Sequence, residues 1–164
     1  MQLIKAATVS LVMAACAGAA LAQDLVPYSE AGGWDVAVDP TLGNGCLLTS
    51  EFEDGSTVRI GFDLTAGNGY VAAFNEGWGE IEDGTMYPVN FMLDDQNYDG
   101  EARGIHLNGI PGAWITFDSA DFLTDLATRN VMVLQHNGAE VMSIDLSGSD
   151  DAVLETIACQ DAQG

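Results

Sequence analysis

Residues 46–64 read CLLTSEFEDGSTVRIGFDL. Apolar side chains recur at strand-like spacing on both sides of Glu53-Asp54-Gly55-Ser56, and the Asp-Gly pair supplies the positive φ that a tight hairpin turn requires. Two antiparallel strands, 46–52 and 57–64, are therefore expected. The rhythm continues in both directions. Residues 34–38 form an earlier stretch, and the glycines about Asn68 turn the chain into 70–74. Further on, 86–93 and 102–107 flank a polar loop at 94–100, and 113–117 follows. Residues 131–135 and 140–146 surround Asn137-Gly138, a second strong hairpin signal.

The period changes twice. Ala120, Leu123, Leu126 and Ala127 share one helical face, with Asp118 or Ser119 placed to cap it, which predicts a short helix ending near Arg129. Residues 149–158 predict another, capped by Ser149 or Asp150, with Ala152, Val153, Leu154 and Ile157 as its apolar stripe. The fold class is α+β, mainly β. One antiparallel sheet of roughly seven to nine strands, as a half-barrel or sandwich, carries two short helices, the C-terminal one packed on the sheet.

The N-terminus reads as a leader. Lys5 is a positive start, residues 6–15 are an apolar core, and Ala20-Leu21-Ala22 is a small-x-small cleavage pattern, so 1–22 is expected to be a signal peptide. Residues 23–164 are then a single β-rich domain. The apolar stretch 6–22 is short of the roughly 20 residues that span a bilayer. A competing route is lipidation at Cys16, after Met13-Ala14-Ala15, which would anchor the protein to a membrane. Cleavage after Ala22 leaves Cys46 and Cys159, an even pair that reads as a disulfide in an oxidising compartment. A periplasmic or secreted location follows as the expectation.

The 164 residues hold 25 acids against four basic residues, for a formal net charge of −21. Past Lys5 the only cations are Arg59, Arg103 and Arg129. Such an excess repels nucleic acid and anionic lipid headgroups and keeps a monomer soluble. The acids are scattered rather than blocked, which fits adaptation to a salty medium.

Asp95, Asn97 and Asp99 with Gly100 spell D-x-N-x-D-G, the opening half of a calcium-binding EF-hand loop with oxygen ligands at alternate positions. His106 stands where the bidentate Glu of that loop belongs, so the competing reading is a solvated hairpin. Neither His106 nor His136 has metal or triad spacing. Glu80 with Glu82, and Glu51 with Glu53, would each share one face of a strand and could divide acid and base roles in a hydrolase. Trp78, set between Gly77 and Gly79, could project from a turn toward a protein or glycan partner, or plug the sheet end. No nucleophile elbow, phosphate-cradling loop or C-x-x-C is present.

Two segments carry a resemblance. Gly33-Trp34-Asp35-Val36, and Ile144-Asp145-Leu146-Ser147-Gly148-Ser149-Asp150-Asp151-Ala152, resemble the domain opening and the closing strand and helix of the invasion-associated locus B proteins. That family's cysteine just after the tryptophan and its mid-chain cysteine pair are absent here. The resemblance implies an envelope β-rich domain with a role in host or surface interaction, and it transfers no catalytic residue. The leading expectation is thus a non-enzymatic, exported binding or envelope protein with no cofactor. Alternatives are a carboxylate hydrolase and a calcium-stabilised surface module.

Overall fold

The structure, a computed structural model, describes residues 24–118 and 121–164. The leader expected over 1–22, Cys16, the Ser119 cap and Ala120 lie outside the described residues. The strands are β1 (Val26–Ala31), β2 (Trp34–Asp39), β3 (Gly45–Glu51), β4 (Thr57–Asp63), β5 (Asn68–Phe74), β6 (Met86–Leu93), β7 (Gln96–Leu107), β8 (Ile110–Phe117), β9 (Val131–His136) and β10 (Ala139–Asp145). They form one antiparallel sheet in the order β1-β2-β3-β4-β5-β8-β7-β6-β9-β10. The hairpin at 46–64 forms β3 and β4, with Leu48 opposite Ile60 and Gly55 at φ 80°.

The described residues hold ten strands, against the seven to nine expected, because β1 escapes the alternation test. It contains Pro27, Ser29 and Glu30, and it pairs only with β2, with a register shift between Pro27 and Ser29. Such an edge strand tolerates proline. The polar loop expected at 94–100 is also absent. Leu93 pairs directly with Gln96, so Asp94-Asp95 is a two-residue turn and β7 begins at Gln96. Asp94 sits at φ 53°, a conformation Asp tolerates. Its carboxylate accepts the backbone N–H groups of Asn130 and Val131, both at 3.0 Å, and these bonds hold its pKa below the usual value.

Side chains from β2 to β10 meet on the inner face in one core, which includes Leu48, Ile60, Val71, Phe91, Leu134 and Ile144. The sheet is open yet strongly curled, because its two ends touch. The Trp34 indole donates to the Ser147 carbonyl at 3.2 Å, and Gly32 in the β1–β2 turn abuts Gly148 beyond β10. Helix α1 (Asp121–Ala127) buries Leu123 and Leu126, and its Phe122 stacks on Phe117.

Helix α2 (Ser149–Gln163) runs past the expected end, so Cys159 lies inside it rather than after it. The apolar stripe also differs. Ser149, Ala152, Val153, Thr156 and Cys159 are buried, whereas Leu154 is 67% and Ile157 37% exposed. Nor does a side chain cap the helix. Gly148 is the N-cap in a left-handed conformation, and the Ser149 hydroxyl is buried with no hydrogen-bond partner. Tertiary contacts choose the face: Cys159 is bonded to Cys46, their Cα atoms 6.0 Å apart, in a cluster with Val36 and Val38. The Gln160 side chain accepts the Cys46 N–H at 2.9 Å, and Ser29 donates to Glu155 at 3.1 Å.

A smaller cluster covers the outer face, where Tyr70 stacks on Trp114 with centroids 3.9 Å apart. Burial pushes the Tyr70 phenol well above its ordinary value of 10.0; Asp39 and Asp63 add to this and Arg59 opposes it. Above pH about 10 the unfolded chain releases this proton while the folded chain keeps it, so stability falls as pH rises through that window. Ultraviolet titration should show one of the four tyrosines ionising only as the protein unfolds. Tyr70→Phe should abolish that late step. Four tyrosines ionising together in the folded protein would contradict the burial argument.

Candidate functional site

Between β5 and β6 the chain leaves the sheet. The Asn75 side chain accepts the Gly77 N–H at 2.7 Å and donates to the Ser56 hydroxyl at 2.9 Å, while its backbone N–H donates to Pro111 at 3.1 Å. These bonds hold a 3-10 turn, Glu76–Trp78, which ends at Gly79 with φ 72° and ψ −144°. That conformation is open essentially to glycine alone. The chain then crosses the inner face, where a Cβ on Gly104 would collide with the Glu82 carbonyl. Glu82 N–H donates to the Tyr87 hydroxyl at 3.1 Å, Gly84 and Thr85 bond the Gly104 backbone at 2.8 Å each, and His106 Nδ1 meets Asp83 at 2.7 Å.

The clamped segment roofs a pocket of about 370 Å³. Trp78 and Ile81 line it from that segment, and Tyr87 lines it from β6, where it pairs with Ala102 of β7. Val89, Ala102 and Ala113 form the floor, and Leu134, His136 and Val141 close the far side, with Glu80 the only carboxylate in the lining. Val141 is the unpaired residue of a bulge between Glu140 and Met142, and its carbonyl accepts the Trp78 indole N–H at 3.3 Å. Trp78 is thereby half-buried and fixed to the edge strand. Pockets of this size and apolar character suit small organic ligands.

His136 is spoken for at both nitrogens. A carbonyl only accepts, so Nδ1, 2.8 Å from the Pro88 oxygen, is the donor. Nε2 then accepts from the Asn137 side-chain amide, placed at 2.9 Å. Both ring nitrogens are thereby engaged, and neither is left open to a bound molecule.

The pocket gathers Trp78, Glu80 and His136 among the residues singled out in the sequence. The carboxylate pairs do not share strand faces as expected. Glu80 and Glu82 lie in the irregular crossing segment, because Gly79 and Gly84 break the extended run, while Glu51 ends β3 and Glu53 belongs to the following turn. Asp95 is in the β6–β7 turn, and Asn97 and Asp99 follow on β7, facing away from the pocket. Asn97 and Asp99 line a shallow outer depression with Asn90 and Gln135, and Asn90 donates to Asp99 at 2.9 Å. Along a strand, alternate side chains stand parallel and about 7 Å apart instead of wrapping an ion. Calorimetric titration with calcium is accordingly expected to give no saturable heat; a saturable signal abolished by Asp99→Asn would establish the site. Tyr87, Ala102, Ala113 and Val141 carry no local signal for the pocket, since it arises from strands distant in sequence.

The class defined is an open antiparallel half-barrel with a disulfide-stapled C-terminal helix and an apolar pocket under a crossing loop. No protein-family model and no curated protein matches the sequence. Among solved structures, the fold is similar to that of invasion associated protein B from Bartonella henselae, with a TM-score of 0.58 at 15% identity, covering 81% of this chain and 97% of that chain. The resemblance read from residues 33–36 and 144–152 therefore extends to the fold, and at this identity the likeness concerns the fold alone.

Proposed function

We propose that the protein is a non-enzymatic binding domain of the cell envelope, periplasmic or secreted, and that the Trp78 pocket is its ligand site. The pocket carries the reading: it is apolar, its histidine is committed at both nitrogens, and its single carboxylate lacks a partner acid across the cleft. The leader-like residues 1–22 and the Cys46–Cys159 bond support the location.

The neutral dye Nile red tests the site. Saturable emission from the native protein, lost in Val141→Trp at the half-exposed rim, is the expected result. No binding, or binding unchanged in that variant, would defeat the reading. Fractionation with mass spectrometry tests the location, which predicts a product starting at Gln23 with no free thiol. A protein retained in the cytosol with Met1 intact would overturn it.

A further inference from the structure

We infer that the Trp78 pocket takes a weakly hydrated organic cation, a tertiary or quaternary ammonium carried on an aromatic or short alkyl body. This rests on the reading of that pocket as the binding site and adds the charge and class of its occupant.

Four observations converge. The lining carries two aromatic rings, Trp78 from the crossing segment and Tyr87 from β6, among aliphatic side chains. Aromatic faces attract cations through their negative quadrupole, most strongly where water is excluded. Glu80 is the only acid in the lining, and no hydrogen bond or ion pair of Glu80 occurs among the described residues, so its charge is uncompensated. Both ring nitrogens of His136 are taken up by Pro88 and Asn137, so the ring offers no free donor to an anionic ligand.

The cations of the described chain all lie elsewhere. Arg103 packs over Trp114 and Arg59 lies beside Tyr70, both on the outer face of the sheet, and Arg129 donates to Gln96 on the β6–β7 hairpin. The remaining field is that of 25 acids, which concentrates cations and repels anions at a cleft of the same sign. Hydration decides among cations. A metal ion or primary ammonium would surrender strong water contacts for one carboxylate and an apolar wall, whereas methylated ammonium loses little water and presents apolar methyls to the rings.

The test compares benzyltrimethylammonium with its near-isosteric neutral analogue benzyldimethylcarbinol and with phenylacetate, by calorimetry on the native protein at low salt. The cation is expected to bind about tenfold tighter than the carbinol, since one aromatic contact and one partly screened carboxylate together supply that factor. Phenylacetate should give no measurable heat. Raising salt from about 20 mM to about 500 mM should weaken the cation and leave the carbinol unchanged. Glu80→Gln, at an exposed position, should cut the cation's advantage to the roughly two- to fivefold that the aromatic contact alone supplies, while the melting curve stays in place.

Equal or tighter binding of the carbinol overturns the charge inference but keeps the pocket. Tighter binding of phenylacetate reverses its sign. If none of the three binds or displaces Nile red, the inference falls, and the ligand site falls with it where Nile red itself does not bind.

Discussion

Replacing Cys46 and Cys159 together by alanine is expected to lower the unfolding free energy by about 4 to 5 kcal/mol. The bond joins positions separated by 113 residues. On the loop-entropy account, a crosslink of that span removes a large set of open conformations from the unfolded ensemble. Domains are stable by about 5–15 kcal/mol, so the loss removes a large part of the total, and the melting temperature should drop by roughly 10–20 °C at this size. Alanine is the right replacement because both sulfurs lie in a fully buried apolar cluster with Val36 and Val38. Serine would add the cost of burying a hydroxyl. Denaturant unfolding of the oxidised protein, the reduced protein and the double variant checks this. A loss below about 1 kcal/mol would mean that packing alone seats α2 and that the staple acts little on the unfolded chain.

The second large effect is expected at a contact of backbone on backbone. Gly32 and Gly148 stand face to face, with φ of 59° and 75°, and a Cβ on either would collide with the carbonyl of the other. Gly32→Ala or Gly148→Ala should therefore cost about 2 to 5 kcal/mol, combining left-handed strain with an overlap neither backbone can relieve without parting the sheet ends. Gly33→Ala isolates the first component. Gly33 has φ 84° but nothing within reach of an added Cβ, so about 1 to 2 kcal/mol is expected. Separation of the ends should also free the Trp34 indole from the Ser147 carbonyl, and a shifted indole N–H resonance would report it. If Gly32→Ala and Gly33→Ala cost the same, closure at this point does not stabilise the fold.

The two effects belong to one structural problem. An open sheet of ten strands has two edges, and here the ends approach without pairing. Three devices hold them: the glycine contact, the Trp34 bond to Ser147, and α2, which packs its buried face on β1, β2 and β3 and is fastened by the disulfide. On the other side of the opening, Trp78 reaches the bulged edge strand at Val141. The pocket lies under this last link, which is why a substitution at the Val141 rim serves as a binding test in an otherwise intact sheet.

Legibility varied with the range of the cause. Turns set by adjacent residues were readable: Asp54-Gly55 and Asn137-Gly138 each join the expected strands. Where a distant partner overrode the local pattern, the reading failed. Asp94 to Gly100 looked like a loop because its residues are good turn formers, yet Asp94 is bound by Asn130 and Val131, and β7 extends back to Gln96. The α2 stripe was misassigned because Leu154 and Ile157 are more apolar than Ser149 and Thr156, while proximity to Cys46 turns the Cys159 face inward. Of the site, Trp78 stood out for its flanking glycines, and Glu80 and His136 as titratable groups. Tyr87, Ala102 and Ala113 are ordinary strand residues with nothing local to mark them.

Residue order alone settled whatever acts over a few positions or over the whole composition: tight hairpins, the acidic excess, an even pair of cysteines past residue 22, and a chain rich in strands. Local backbone sterics and bulk charge need no knowledge of distant neighbours. Folding in three dimensions settled which glycines tolerate no side chain, which face α2 buries, and that Trp78, Glu80 and His136 share one pocket. Those outcomes depend on which segments curl into contact, and contact between strands far apart along the chain leaves no mark at either one.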